Sequence, residues 1–110
     1  MNNKAIIQIL TMGAASIFLF SPSAALADSP SIRTRQVSNN SSISGCLRKV
    51  RNAVIKVGFT VQDVDSNDVE GYRGSYATEV ICMDDRILVI VAGPSSSRAG
   101  ILRDAMASRL

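Results

Sequence analysis

The six residues Asp63–Asp68, DVDSND, gather three carboxylates and a side-chain amide in one short run. Asp63, Asp65 and Asn67 alternate as the opening ligands of an EF-hand calcium loop do. Such a loop also needs glycine at its sixth position, for the sharp turn, and a bidentate glutamate at its twelfth. Counted from Asp63, those positions hold Asp68 and Gly74. The flanking residues read as strands rather than helices. The expectation is a strand end followed by a polar turn, and no metal ligand is nominated.

The remaining chemistry is sparse. Histidine is absent, which removes the commonest general base, the Ser-His and Cys-His nucleophile pairs and most zinc sites. Glu79, Asp84 and Asp85 are the carboxylates that could form an acid/base pair. Asp84 and Asp85 fall in a predicted hairpin turn, where aspartate is common for backbone reasons. Glu79 lies in a predicted strand and could face either solvent or the helices. The stretch AGPSSSRAG joins a strand to a helix start, where free N–H groups attract anions and Arg98 could assist. A phosphate-binding P-loop would need Gly-Lys-Ser/Thr five positions after its first glycine, and Arg98 stands five positions after Gly93. The expected reading is a proline stop and a serine cap. No catalytic residue and no cofactor-binding residue is nominated, and the chain is expected not to be an enzyme.

These residues must be held by a small set of elements. SGCLRKVRNAVIKVGF is the clearest helix: Cys46, Leu47, Val50, Ala53, Val54 and Val57 make one apolar stripe. Ser44 is the expected N-cap, and Gly58 stands where a left-handed C-terminal residue belongs. Arg48, Lys49, Arg51 and Lys56 project from its other faces and read as a solvated surface. FTVQDV, VEGYRG, SYATEVIC and RILVIVAG read as strands, the last an unbroken apolar run suited to a central position. SSSRAGILRDAMASRL is a second helix, capped by one of Ser95–Ser97, with Ile101, Leu102, Ala105, Met106 and Leu110 as its stripe. Upstream, SIRTRQV alternates and fits either a short edge strand or an extended arm. Asn39 and Asn40 each open a glycosylation sequon, which matters only in a glycosylating host.

The first 27 residues carry one charge, Lys4, followed by an apolar stretch and then Ala25-Leu26-Ala27. This is the pattern of a secretory signal peptide cleaved between Ala27 and Asp28. The rival is an uncleaved anchor, but the stretch is somewhat short and broken by Gln8, Thr11, Gly13 and Ser16, against the roughly 20 apolar residues of a spanning helix. Cleavage removes one of the 12 basic residues and none of the 9 acidic ones, leaving a net charge of about +2. That balance is too mild to imply nucleic-acid binding. The two cysteines, Cys46 and Cys82, would meet an oxidising compartment, where such a pair is expected to form a structural disulfide. They are too far apart for a CxxC-type redox motif.

From Cys46 onward a cysteine opens a helix ending in GF, a glycine-punctuated GYRGSYATEVIC leads to the second cysteine, and ILVIVAGP runs into the last helix. Over Arg33 to Leu110 this resembles a group of small exported bacterial proteins with one cysteine pair and no established function. The resemblance implies export and a fold, and no active site. The expected architecture is an α+β two-layer sandwich. Its antiparallel sheet has three to four strands and is flanked by an N-terminal and a C-terminal helix. Residues 1–27 are expected to form the signal peptide, 28–43 a polar arm and 44–110 the single domain. The expected product is a periplasmic or secreted, non-enzymatic binding or structural domain with no cofactor and no stable membrane association after cleavage. Its partner class is left open to another exported protein, which it could inhibit; a carboxylate-based hydrolase is the alternative from another class.

Overall fold

The structure, a computed structural model, describes residues 29–110. The expected cleavage point at Ala27 and Asp28, and the apolar leader before it, lie outside the described residues. Residues Ser31–Leu110 form one compact unit. Its elements run β1 (Ser31–Ser38), α1 (Ile43–Lys56), β2 (Thr60–Val64), β3 (Asp68–Arg73), β4 (Tyr76–Cys82), β5 (Arg86–Gly93) and α2 (Ser96–Ala107). The class is α+β, as expected, but the antiparallel sheet has five strands, in the order β1-β5-β4-β3-β2.

The fifth strand is the segment read as an arm. β1 pairs with β5 along its whole length, from Ser31 opposite Gly93 to Ser38 opposite Arg86. The physical reason lies in β5. Ile87, Val89, Ile90 and Val91 are all buried, so a strand apolar on both faces is placed inside the sheet, with β4 on one side and β1 on the other. The polarity of β1 is that of an edge strand. Asn39 anchors its end. The side-chain amide donates to the Met83 carbonyl at 2.7 Å, and the side-chain oxygen accepts from the Ser41 N–H at 2.9 Å. That first sequon asparagine is therefore buried and engaged, whereas Asn40 is exposed.

Both helices pack on one face of the sheet. α1 contributes Cys46, Val50, Ala53 and Val54, and α2 contributes Ala99, Leu102, Met106 and Ala107, to a single core closed from below by Val69, Val80, Cys82, Ile87, Val89 and Val91. The two-residue alternation along β4 and β5 produces this: Thr78, Val80 and Cys82 lie opposite Val91, Val89 and Ile87. Thr78 is the polar exception, satisfied by donating to the Ile90 carbonyl at 2.8 Å. Among the described residues no helix covers the opposite face.

Two details of the helices differ from expectation. Ser42, not Ser44, caps α1: its hydroxyl accepts the Gly45 N–H at 3.1 Å, so the first helical turn begins two residues earlier, at Ile43. In α2, Ile101 is 63% exposed, and the buried stripe runs instead through Ala99, Gly100, Leu102, Met106 and Ala107. Small residues turn toward the sheet because α2 lies on the β1–β5 pair with the Arg33 guanidinium against Gly100. The expected cap at the serine run is Ser95, whose hydroxyl accepts the Arg98 N–H at 3.1 Å.

Cys46 and Cys82 are joined, with their Cα atoms 6.2 Å apart. Cys46 sits in the first turn of α1 and Cys82 ends β4, so the bridge pins the helix start to one end of the sheet. Both are buried in the core.

Candidate functional site

The DVDSND stretch is a hairpin. β2 ends at Val64, the Asp65 N–H donates to the Asp68 carbonyl at 2.8 Å, and β3 begins at Asp68. A register shift between Val61 and Asp63 gives β2 the irregular end its sequence suggests. The strand pairing also makes a grouping that the calcium-loop count does not contain. Carboxylate oxygens of Asp65, Asp68 and Glu70 lie within 4.8 Å of one another. Only Asp65 is common to this trio and to the alternating set Asp63, Asp65, Asn67. Acidic side chains often gather without a cation, and the trio by itself nominates none.

Glu79 is separated from Asp84 and Asp85. It is buried in the middle of β4, whereas both aspartates are exposed in the β4–β5 turn. The Arg86 guanidinium bonds to Asp85 and holds its carboxyl below the usual range. Glu79 instead lies directly opposite Glu70 on β3, and Asp63 lies opposite Glu70 on β2. Alternation puts this row on the face away from the helices. Sequence reading missed the pair because it depends on the β3–β4 register, which no local pattern sets.

A second grouping lies on the helix side. Arg73, Gly74, Ser75 and Tyr76, from the β3–β4 turn, together with Arg98 and Leu102 of α2, line an open concavity of about 440 Å³. The elements position each wall. Arg73 ends β3 and donates to the Val57 carbonyl at 2.8 Å, which places a cation at the C-terminal end of α1. Gly74 makes the turn with φ of +59°, a left-handed conformation suited to glycine. Tyr76 lies over Gly93, where any β-carbon would collide with its ring. Its hydroxyl accepts the Ser95 N–H at 3.2 Å, so its own proton remains available to donate. Arg98 occupies the third position of α2, in a first turn that contains no acidic residue.

The lining is cationic and has no carboxylate. Among the described residues, the ion pairs are Arg35 with Asp104, Arg86 with Asp85, and Arg103 with Asp104; Arg73 and Arg98 are in none. The strand-to-helix junction around Arg98 reads in the sequence as a proline stop and a serine cap, and Ser95 is that cap. That Arg73 lines the same concavity was not visible there, because the β3–β4 hairpin brings it. Arg48, Arg51 and Lys56 of α1 are exposed, as expected of a solvated face.

No protein-family model matches the chain, and no curated protein and no solved structure resembles it significantly. Among the described residues no helix is long and apolar enough to cross a membrane.

Proposed function

We propose that this chain is a small exported domain that acts by binding rather than by turnover. The observation that carries the reading is the buried Cys46–Cys82 disulfide. A structural disulfide is a mark of proteins outside the reducing cytoplasm. Burial of both cysteines supports a fastening role over a redox role, because thiol exchange needs an accessible sulfur. The leader-like first 27 residues and the resemblance to small exported bacterial proteins point the same way. Binding is favoured over catalysis by the available side chains. The helix-side concavity offers guanidinium and hydroxyl groups, which hold a ligand but do not shuttle protons at neutral pH.

The test is the protein recovered from the exported fraction of cells expressing the full chain. Mass spectrometry should find Asp28 at the N-terminus and no alkylatable thiol without reductant. A retained Met1 would make the chain an anchored protein, and two free thiols would remove the support for export. A second reading is favoured by β1, an edge strand eight residues long. It could pair with a strand of another exported protein and act as its inhibitor or docking partner. Capture of such a partner should then be lost on Ile32→Arg, which changes a half-exposed residue of that edge.

A further inference from the structure

We propose that the outer face of the helix layer adsorbs reversibly onto an anionic lipid surface. This partner class rests on the binding reading above and gives it a chemistry.

The charges of the domain are sorted by layer. α1 carries Arg48, Lys49, Arg51 and Lys56 and no acidic residue. α2 carries Arg98, Arg103 and one acid, Asp104, which already meets Arg103 and Arg35 at the β1 rim. Every other described acidic residue lies on β2–β5 or in their turns. Glu70 and Glu79 belong to the sheet face away from the helices. A modest net charge thus conceals one strongly cationic side.

That side also presents apolar groups. Ile55 and Ile101 are 49% and 63% exposed, one on each helix. Each lies outside the buried stripe of its helix, so both point away from the sheet that the two helices share. Helical spacing sets Ile55 beside Arg48 and Arg51, and Ile101 beside Arg98. The helices also meet end to start. α1 ends where Arg73, the last residue of β3, bonds to the Val57 carbonyl, and α2 starts beyond the last residue of β5. Both strand ends adjoin the start of β4, so the two isoleucines share one outer surface.

Cations around exposed aliphatic side chains match an anionic bilayer. Headgroup phosphates meet the guanidinium groups, and the isoleucines enter the acyl boundary. Single-stranded nucleic acid favours aromatic stacking and a protein hot spot favours aromatic anchors, and neither helix carries an aromatic residue. The contact is peripheral, since among the described residues no helix is long and apolar enough to cross a membrane.

The experiment uses disulfide-bonded protein purified from cells expressing the full chain. The sequence has no tryptophan, so Ile101→Trp supplies a single fluorescent reporter at an exposed site. Its emission should shift to the blue on phosphatidylglycerol vesicles and stay unchanged on phosphatidylcholine vesicles. Thr34→Trp, exposed on the sheet's other face, should shift on neither. Raising salt from about 0.03 M to about 0.3 M should release the protein, as the screening length shrinks. Arg48→Gln and Arg51→Gln should each weaken binding about fivefold, the effect of one cation near an anionic surface. Arg86→Gln removes the same charge from the start of β5, beside Asp85, and should leave binding within about twofold. Ile55→Ser should weaken binding and leave its salt dependence intact.

No shift of Ile101→Trp on phosphatidylglycerol, an equal shift of Thr34→Trp, or equal losses in Arg51→Gln and Arg86→Gln would overturn the lipid surface. Binding of a DNA oligonucleotide as tight as that of the vesicles, and indifferent to Ile55→Ser, would assign the face to nucleic acid instead. Self-association without vesicles that Ile101→Ser breaks would assign it to a second copy. If the vesicle response is absent while one defined protein is captured from the exported fraction, the binding reading stands and the lipid surface falls.

Discussion

At the scale of single residues, two contacts set the sharpest expectations. The first is the bridge between Cys46 and Cys82, 36 residues apart in sequence. A closed loop of that length stabilises by about 3–4 kcal/mol in the chain-entropy model. In a domain this small that corresponds to a fall of more than about 10 °C in the thermal midpoint. Cys82→Ser, or reduction, should produce that fall in a circular-dichroism melt, and an unchanged midpoint would mean that the bridge bears no load. The second is the packing of Tyr76 on Gly93. Gly93→Ala forces a methyl group into the ring and should cost about 1–3 kcal/mol, as overpacking does. The same change made beside Tyr76→Ala should cost much less. Equal costs in the two backgrounds would show that the ring is not what requires glycine.

Between elements, the tie that holds α2 to the edge strand is electrostatic at its rim. Asp104 accepts from Arg103 at 2.9 Å and from Arg35 of β1 at 3.1 Å. Arg103 chiefly, with Arg35, holds the Asp104 carboxyl below the usual range. A carboxyl depressed on folding contributes stability above its unfolded-state titration, and loses that contribution as pH falls through the folded one. Asp104→Asn should therefore be modestly less stable than wild type near neutral pH, and the two should converge in strong acid. Added salt should shrink the gap, because the pair is at the surface. A difference that persisted at low pH would locate the effect in packing instead.

This is also the scale at which sequence reading is most uneven. The stripe of α1 was legible because Val50, Ala53, Val54 and Val57 repeat at helical spacing over a surface of charges. The unbroken apolar run of β5 likewise announced a central strand. Ile101 misled because α2 lies on a pair of strands through its smallest residues, and Ala99 and Gly100 carry little hydrophobic signal. β1 was ambiguous because an edge strand bonded on one side needs few apolar residues. The sharing of one concavity by Arg73 and Arg98, and the pairing of Glu70 with Glu79, were illegible for one reason. Each joins segments whose relation exists only after the strands have paired.

For the whole molecule, the membership of β1 in the sheet is the decisive feature. A chain truncated to begin at Ser41 would lose β1 and bare one edge of β5, along with the flank of α2 that Arg33 and Arg35 hold. It should lose its cooperative melt or associate into large species by light scattering, since a long apolar edge invites pairing with another chain. A monomer with an unchanged midpoint would return those residues to the status of an arm.

The pairing of the first strand with the last imposes an order in time. A chain that emerges from its N-terminus presents β1 early, yet its strand partner is β5, and its side-chain tie to α2 joins Arg35 to Asp104 across 69 positions. Everything needed for the Cys46–Cys82 bridge is complete before β5 appears. The middle of the domain can thus be fastened while its first strand still waits. Contacts that span the chain are the slow ones to form. Docking of β1 is then the step that closes the sheet, and until it occurs a newly made molecule shows its neighbours an apolar edge that the finished one conceals.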